Sequence, residues 1–358
     1  MHVLGRDEGA GSLPTGRLGT YRARDGSAGA PVGVDFDRPH AGLVVGKRGS
    51  GKSYTLGVLA EAAARASGVA PVVVDPMGVF TGLARGDPTV PARVVSDPSV
   101  RADALVPAAW PRLLGLDSAD AAGTLVWEAA SARTSLDGMR DYVADADATQ
   151  TTRRAAENHL RLADSWGVFE CDGLTPEELS GPEATVLDVS GRHPAAMNGV
   201  CAAVAHGLYD ARVGAAREES VVDRLPWLFV DEAHAFFDGV AADALRTLLT
   251  RGRAPGVSLV AATQRPGSLP DVAVSQADLL VAHRLTAESD VAALAAAQPT
   301  YLGDAIANRL PTETGDALVV DDATESVHSV SIRERDTPHG GASARSSHVR
   351  LRGDRRDH

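Results

Sequence analysis

Eight residues near the front of the chain, Gly46-Lys47-Arg48-Gly49-Ser50-Gly51-Lys52-Ser53, have the types and spacing to cradle a polyphosphate. Three glycines let the backbone turn tightly with its N–H groups pointing inward. Lys52 is spaced to reach the β- and γ-phosphates, and the Ser53 hydroxyl to ligate Mg²⁺. Such a loop needs an apolar strand before it and a helix after it, because a helix N-terminus favours an anion. Ala41-Gly42-Leu43-Val44-Val45 is that strand. Residues 53–66 carry the helical spacing, with Leu56, Leu59, Ala60 and Ala63 on one side.

Composition sharpens this reading. The formal charge is −12, from 47 acidic and 35 basic side chains. Only two of the basic residues are lysine, Lys47 and Lys52, and the other 33 are arginine. Lysine is lost everywhere except within one eight-residue loop, which a chemical need for an ammonium explains, at least for Lys52. An acidic, lysine-poor, Ala-rich chain resembles proteins of salt-loving archaea; GC-rich coding gives the same exchange of Lys for Arg.

Further along, Leu228-Phe229-Val230-Asp231-Glu232 is an apolar strand that delivers two carboxylates at its end. Asp231 is placed to hold Mg²⁺. Glu232 is placed to polarise an attacking water as general base. His234 follows, as a phosphate sensor or a plain structural histidine. Ala262-Thr263-Gln264 ends another apolar strand, where the Gln264 amide can stand between Glu232 and a γ-phosphate. Between these elements lie Arg246, Arg251 and Arg253. Arg253 first and Arg251 second are candidates for an arginine that stabilises transition-state charge, usually on a neighbouring subunit's nucleotide.

The elements that must position these groups form an alternation of strand and helix. Pro71-Val72-Val73-Val74-Asp75 is a second buried strand, so strand, loop, helix and strand make a βαβ unit. Strands are expected at 184–189, 227–231, 257–263, 279–282, 317–320 and 327–332, with helices at 194–213 and 241–251. The class is α/β with a central, mainly parallel sheet, covered on both faces. Residues 1–38 read as a short leader with one or two strands. The main domain spans 39–335, with a helical insertion at about 97–182. Residues 336–358 read as a disordered tail, whose arginines (Arg345, Arg350, Arg352, Arg355, Arg356) are solvated or touch DNA or a neighbouring subunit. Cys171 and Cys201 make neither a disulfide framework nor a metal pattern and read as core residues. No apolar run has the length of a membrane span, and a soluble, cytoplasmic protein is expected.

Taken together, several segments resemble the HerA/FtsK superfamily of ATPases. They are the phosphate loop followed by Tyr54-Thr55-Leu56, the strand ending Asp75-Pro76-Met77-Gly78, and the Asp231-Glu232-Ala233-His234 box. Gly252-Arg253 with Thr263-Gln264-Arg265-Pro266, and Gln276-Ala277-Asp278 with His283-Arg284-Leu285, continue the likeness. It covers about residues 40–320 and is nearest to HerA-like proteins of archaea. The resemblance implies a RecA-like fold, ATP as the nucleotide with Mg²⁺, and a phosphate loop whose nucleotide contacts include Tyr54 and Asp75. It also implies a homo-oligomer, usually a hexameric ring, that moves or unwinds double-stranded DNA through its pore with a nuclease partner. HerA proteins carry an N-terminal β-barrel, which the stretch before this phosphate loop is too short to form. Two other readings stay open: a same-fold ATPase for conjugation, virus packaging or protein remodelling, and an ATP-dependent switch. Net acidity works against DNA binding, and the intact Glu232 against a switch.

Replacing Lys52 with Ala is expected to abolish nucleotide binding, as read by equilibrium titration with ATP. Tight binding retained in that variant would contradict the assignment of the loop.

Overall fold

The computed structural model describes residues 1–6, 14–23, 25–217, 223–297 and 309–341. Twelve strands among them join one sheet. In chain order these are β1 (His2–Leu4), β2 (Thr15–Arg22), β3 (Ala28–Asp35), β4 (Ala41–Val45), β5 (Val69–Asp75) and β6 (Ala92–Val95). Then come β7 (Ala184–Asp188), β8 (Leu225–Val230), β9 (Ser258–Thr263), β10 (Leu279–Ala282), β11 (Asp316–Asp321) and β12 (Ser326–Ile332). Their order across the sheet is β1-β3-β2-β12-β11-β10-β4-β9-β8-β5-β7-β6. From β10 to β6 every neighbouring pair is parallel. The other end, β11, β12, β2 and β3, is antiparallel.

Alternation along the parallel strands sends successive side chains into two cores. Leu43 and Val45, Val72 and Val74, and Leu228 and Val230 belong to one. Val44, Val73, Trp227 and Phe229 belong to the other. Both faces are covered, as a parallel sheet requires. Helix α1 (Lys52–Arg65) lies on the second face, with Leu56, Leu59, Ala60 and Ala63 buried.

The first face carries the helical segment expected at 97–182. It contains α2 (Ala109–Leu113), α3 (Ala121–Ala132), α4 (Leu136–Asp145), α5 (Gln150–Asp164) and α6 (Pro176–Leu179). Ser135 and Thr149 cap α4 and α5 by accepting from the N–H groups of Gly138 and Thr152. Val126, Met139 and Leu160 are fully buried and continuous with the core of the sheet. The remaining helices are α7 (Pro194–Ala215), α8 (His234–Phe237), α9 (Ala242–Arg251), α10 (Asp271–Ser275) and α11 (Glu288–Ala297).

Three findings differ from the sequence reading. The stretch 1–38 is more than a short leader with one or two strands: it supplies β1, β2 and β3. Leu18, Val32, Val34 and Phe36 join the core that buries α1. β2 and β3 form an antiparallel hairpin whose register breaks at Arg17/Gly19 and Thr20/Arg22, which blurs the strand alternation, and β2 joins the rest of the sheet through β12, with Tyr21 opposite Val330. Residues 336–341, expected in the tail, are among the described residues and pack on the domain. Residues 333–337 are tied to Glu61, a carboxylate of α1 with no exposed surface. Residues 342–358, with the tail arginines, lie outside the described residues. Finally, Cys201 is buried as expected, whereas Cys171 is exposed.

Glu61 pairs with Arg333 at 2.8 Å and Arg335 at 3.2 Å. Removing one partner of a buried pair leaves charge without compensation, at a cost of about 3–5 kcal/mol. The Glu61→Ala variant should therefore lose stability on that scale, read as a fall in the urea midpoint. An unchanged midpoint would show that the pairing does not hold the segment down.

Candidate functional site

The parallel strands deliver their C-terminal ends to one edge of the sheet, where open α/β folds place their ligands. Gly46 follows β4 there, Asp75 ends β5, Asp231 and Glu232 follow β8, and Gln264 follows β9. β4 lies beside β9, with Val45 opposite Thr263, and β9 lies beside β8, with Ala261 opposite Val230. Phosphate loop, Gln264 strand and carboxylate strand are thus consecutive neighbours.

The loop turns at Gly51, which caps α1 in the left-handed region at φ 117°. At Gly46 the constraint is space, since a Cβ would fall 2.7 Å from the Cβ of His283. Ser50 Oγ donates to the carbonyl of Lys47 at 2.8 Å, and Lys52 Nζ donates to the same oxygen at 3.2 Å. Lys52 is buried, and that burial lowers its pKa against the pull of Glu232 and Asp231. Lys47 is half-buried and Arg48 exposed.

Ser53 Oγ donates to Asp231 Oδ2 at 2.7 Å. Asp231 is 1% exposed, and desolvation raises its pKa although Ser53 and Lys52 oppose the shift. Backbone N–H of Glu232 donates to Asp231 Oδ1 at 3.0 Å. Glu232 itself adopts φ 47°, a strained conformation for a side chain of its size. Its Oε2 is buried without a hydrogen-bond partner. His234 Nδ1 lies 3.4 Å from that oxygen and 3.3 Å from Thr263 Oγ1. Burial, with Arg265 nearby, lowers the pKa of His234 and favours the neutral ring.

His283 is the residue that motif reading undervalued. Fully buried behind the loop, it joins Thr55 Oγ1 through Nε2 at 2.8 Å and the Asp316 carbonyl through Nδ1 at 2.8 Å. The carbonyl can only accept, so Nδ1 carries the proton and Nε2 accepts from Thr55. Burial pushes its pKa down to about 4, and the ring is a neutral prop under the loop. The motif His283-Arg284 was visible, but nothing local in it marks a contact with Thr55.

Asp75 does not face outward. Its carboxylate accepts from the N–H of Met77 at 3.1 Å and of Phe80 at 2.7 Å. It thereby fixes the turn that carries Met77 and Val79 to the wall of the loop cavity. That cavity, about 630 Å³, is lined by Glu232, Lys52, Tyr54 and residues 332–334 and 339–341.

The two arginine candidates lie elsewhere. Helix α9 returns from the carboxylate edge to the opposite edge, so Arg251 at its end and Arg253 beyond it stand far from their own phosphate loop. Arg253 pairs with Asp278 at 2.6 Å, and Asp278 accepts from the N–H of Ala41 at the start of β4. A second cavity of about 350 Å³ opens there, beside His40 and Arg253. Gln264 sits half-buried at the loop edge.

Burial moves Asp75 from its ordinary 3.8 to about 6, with Asp188 adding to the shift against the backbone hydrogen bonds. Folding therefore favours the protonated acid. Its stabilising effect is complete below pH 3.8 and is lost as pH rises through 6. The loss amounts to about 3 kcal/mol at neutral pH. Relative to Asp75→Asn, the wild-type chain should thus lose stability on that scale between pH 4 and 7, measured as urea midpoints. A pH-independent difference would contradict the burial of this charge.

No protein-family model matches the sequence, and no curated protein matches it. Solved structures do match in fold. VirB4 of Thermoanaerobacter pseudethanolicus superposes with a TM-score of 0.67 at 17% identity, over 92% of this chain and 98% of that one. The bacterial conjugative coupling protein TrwB gives 0.59 at 16% identity, over 91% and 97%. Likeness at this identity shows the fold alone: a large, mostly parallel α/β sheet covered by helices, as in VirB4 and TrwB.

Proposed function

We propose that this protein binds and hydrolyses ATP at the edge where the phosphate loop meets Asp231 and Glu232. The observation that carries the reading is the 2.7 Å hydrogen bond from Ser53 to Asp231, next to buried Lys52. It joins the hydroxyl of the loop to the carboxylate of β8, the oxygen pair that suits Mg²⁺ beside a polyphosphate. The site residues fit the cation: Ser53 and Asp231 would hold it, Asp231 directly or through water. When bound, Mg²⁺ neutralises charge on the phosphates. The N–H groups of the loop and Lys52 orient the phosphate chain. Glu232, with an unpartnered carboxylate oxygen, takes a proton from the attacking water. Gln264 sits on the strand between loop and carboxylates, where it can position that water.

The work driven by hydrolysis is proposed to be translocation of double-stranded DNA by a homo-oligomeric, hexameric ring. The motif resemblance and the shared fold support this reading, and the structural neighbour TrwB is a conjugative coupling protein. Arg251 and Arg253 can serve a phosphate site only across a subunit boundary, which fits a ring better than a monomer. Composition adds a preference for high salt, with a formal charge of −12 and two lysines. None of the described helices is long and apolar enough to cross a membrane.

The Glu232→Gln variant should bind ATP normally and lose turnover by at least about a hundredfold, the scale of a general base. Turnover close to wild type would remove Glu232 from the chemistry. In concentrated KCl, duplex DNA should raise wild-type ATP hydrolysis, and sizing should detect a ring. A flat rate with DNA, from a monomer, would contradict the translocase reading and leave the ATPase reading standing.

A further inference from the structure

After β12 the chain does not leave the domain. Residues 333–341 run across α1 as an extended strap, held by Glu61. Besides its pairs with Arg333 and Arg335, Glu61 accepts from the N–H groups of Asp336 at 3.2 Å and Thr337 at 3.1 Å, and from Thr337 Oγ1 at 2.6 Å. Gly57, one helical turn before Glu61, leaves room for the strap: a Cβ there would fall 2.6 Å from the Arg335 guanidinium carbon. The Pro338 carbonyl comes closer still to Gly82, 2.0 Å from where a Cβ would stand. The path of the strap is thus cut into the surface it crosses.

Its far end reaches the loop cavity. Gly340 N–H donates to the Val79 carbonyl at 3.3 Å. His339, Gly340 and Gly341 line the cavity with Lys52 and Tyr54. Arg335 N–H donates to the Tyr54 hydroxyl at 2.7 Å. The rings of Tyr54 and His339 meet edge to face, with centroids 5.3 Å apart. Arg335 Nη1 donates to His339 Nδ1 at 3.2 Å, so the ring carries its own proton on Nε2. Burial and the Arg335 charge lower the pKa of His339, which keeps it neutral.

The cavity has a direction. Glu232 marks the end where a terminal phosphate is attacked, and Lys52 and Ser53 hold the β- and γ-phosphates. The rest of a nucleotide must then pass Tyr54, the next residue of α1, and run toward the strap. We propose that the strap forms the nucleoside subsite, with Tyr54 and His339 packing against the base and the backbone of residues 339–341 closing over the ribose. The proposal rests on the phosphate-loop reading and adds to it the part of the chain that holds the base. Two aromatic rings at the mouth of a phosphate site offer the flat, apolar contact that a base takes and an inorganic phosphate does not.

The test compares two ligands, ATP and inorganic tripolyphosphate, by calorimetric titration in the presence of Mg²⁺. Two variants displace or trim the strap. Gly57→Ala pushes Arg335 away while putting a better helix former into α1. His339→Ala removes one ring and leaves the Glu61 anchor intact. Each should weaken ATP binding by about tenfold and leave tripolyphosphate affinity unchanged. ATP affinity unchanged in both variants would overturn the proposal. So would an equal loss for both ligands, which would mean that the strap only steadies α1. A wild-type protein that binds neither ligand would instead overturn the phosphate-loop reading, and the subsite with it.

Discussion

Asp231 is a carboxylate with almost no exposed surface, placed beside a buried lysine at the end of the fourth strand of a parallel array. Burying such a charge is costly unless it is paired, hydrogen-bonded or joined to a cation. Much of the site follows from this constraint. The Ser53 hydroxyl and the N–H of Glu232 each occupy one of its oxygens. The Ser53 hydroxyl reaches Asp231 because β4 and β8 are separated by a single strand, β9, whereas the N–H belongs to the next residue of the same turn. The neighbouring Glu232 is held in a strained left-handed conformation with an unpartnered oxygen. Strain of this kind persists where surrounding structure over-determines it, and here the short turn from β8 into α8 does so.

The same logic extends to the other face of α1. This helix carries the phosphate loop at one end and a second buried carboxylate, Glu61, in its body. Asp231 is met by the Ser53 hydroxyl at the loop's end, and Glu61 by two arginines and the backbone of the strap. Helix, loop and strap are therefore mechanically joined. β2 and β3 add to this unit by packing Leu18 and Val34 into the core that α1 shares. β2, β3 and the strap thus join the central strands in holding α1 in place.

Legibility from sequence followed the range of the interactions. β4 and β10 run over the residues expected; β5 and β9 differ by one or two residues at one end, and β8 and β11 by one or two at both. Each is a short apolar run whose neighbours break the pattern, so local chemistry was enough. The convergence of Lys52, Ser53, Asp231 and Glu232 was legible for the same reason, each motif being complete within a few residues. The strands of the first 38 residues and the strap were not. Tyr21 pairs with Val330, and Glu61 with Arg335, contacts that no local window contains. β6 escaped because it is only four residues long, with Arg93 interrupting its apolar residues. Arg251 and Arg253 lie between two site strands in sequence, but the helix that carries Arg251 returns across the sheet and ends at the far edge. Asp75 lies at the site edge as the motif implied, yet both its oxygens serve the turn.

The central claim is that Ser53 and Asp231 form one half of a metal and phosphate site with the loop at 46–53. A crystal structure with Mg²⁺ and a non-hydrolysable ATP analogue tests it most directly. The account predicts the β-phosphate within hydrogen-bond distance of the N–H groups of residues 49–53, and Ser53 Oγ turned from Asp231 onto the cation. Phosphates bound elsewhere, with Ser53 still donating to Asp231, would contradict it.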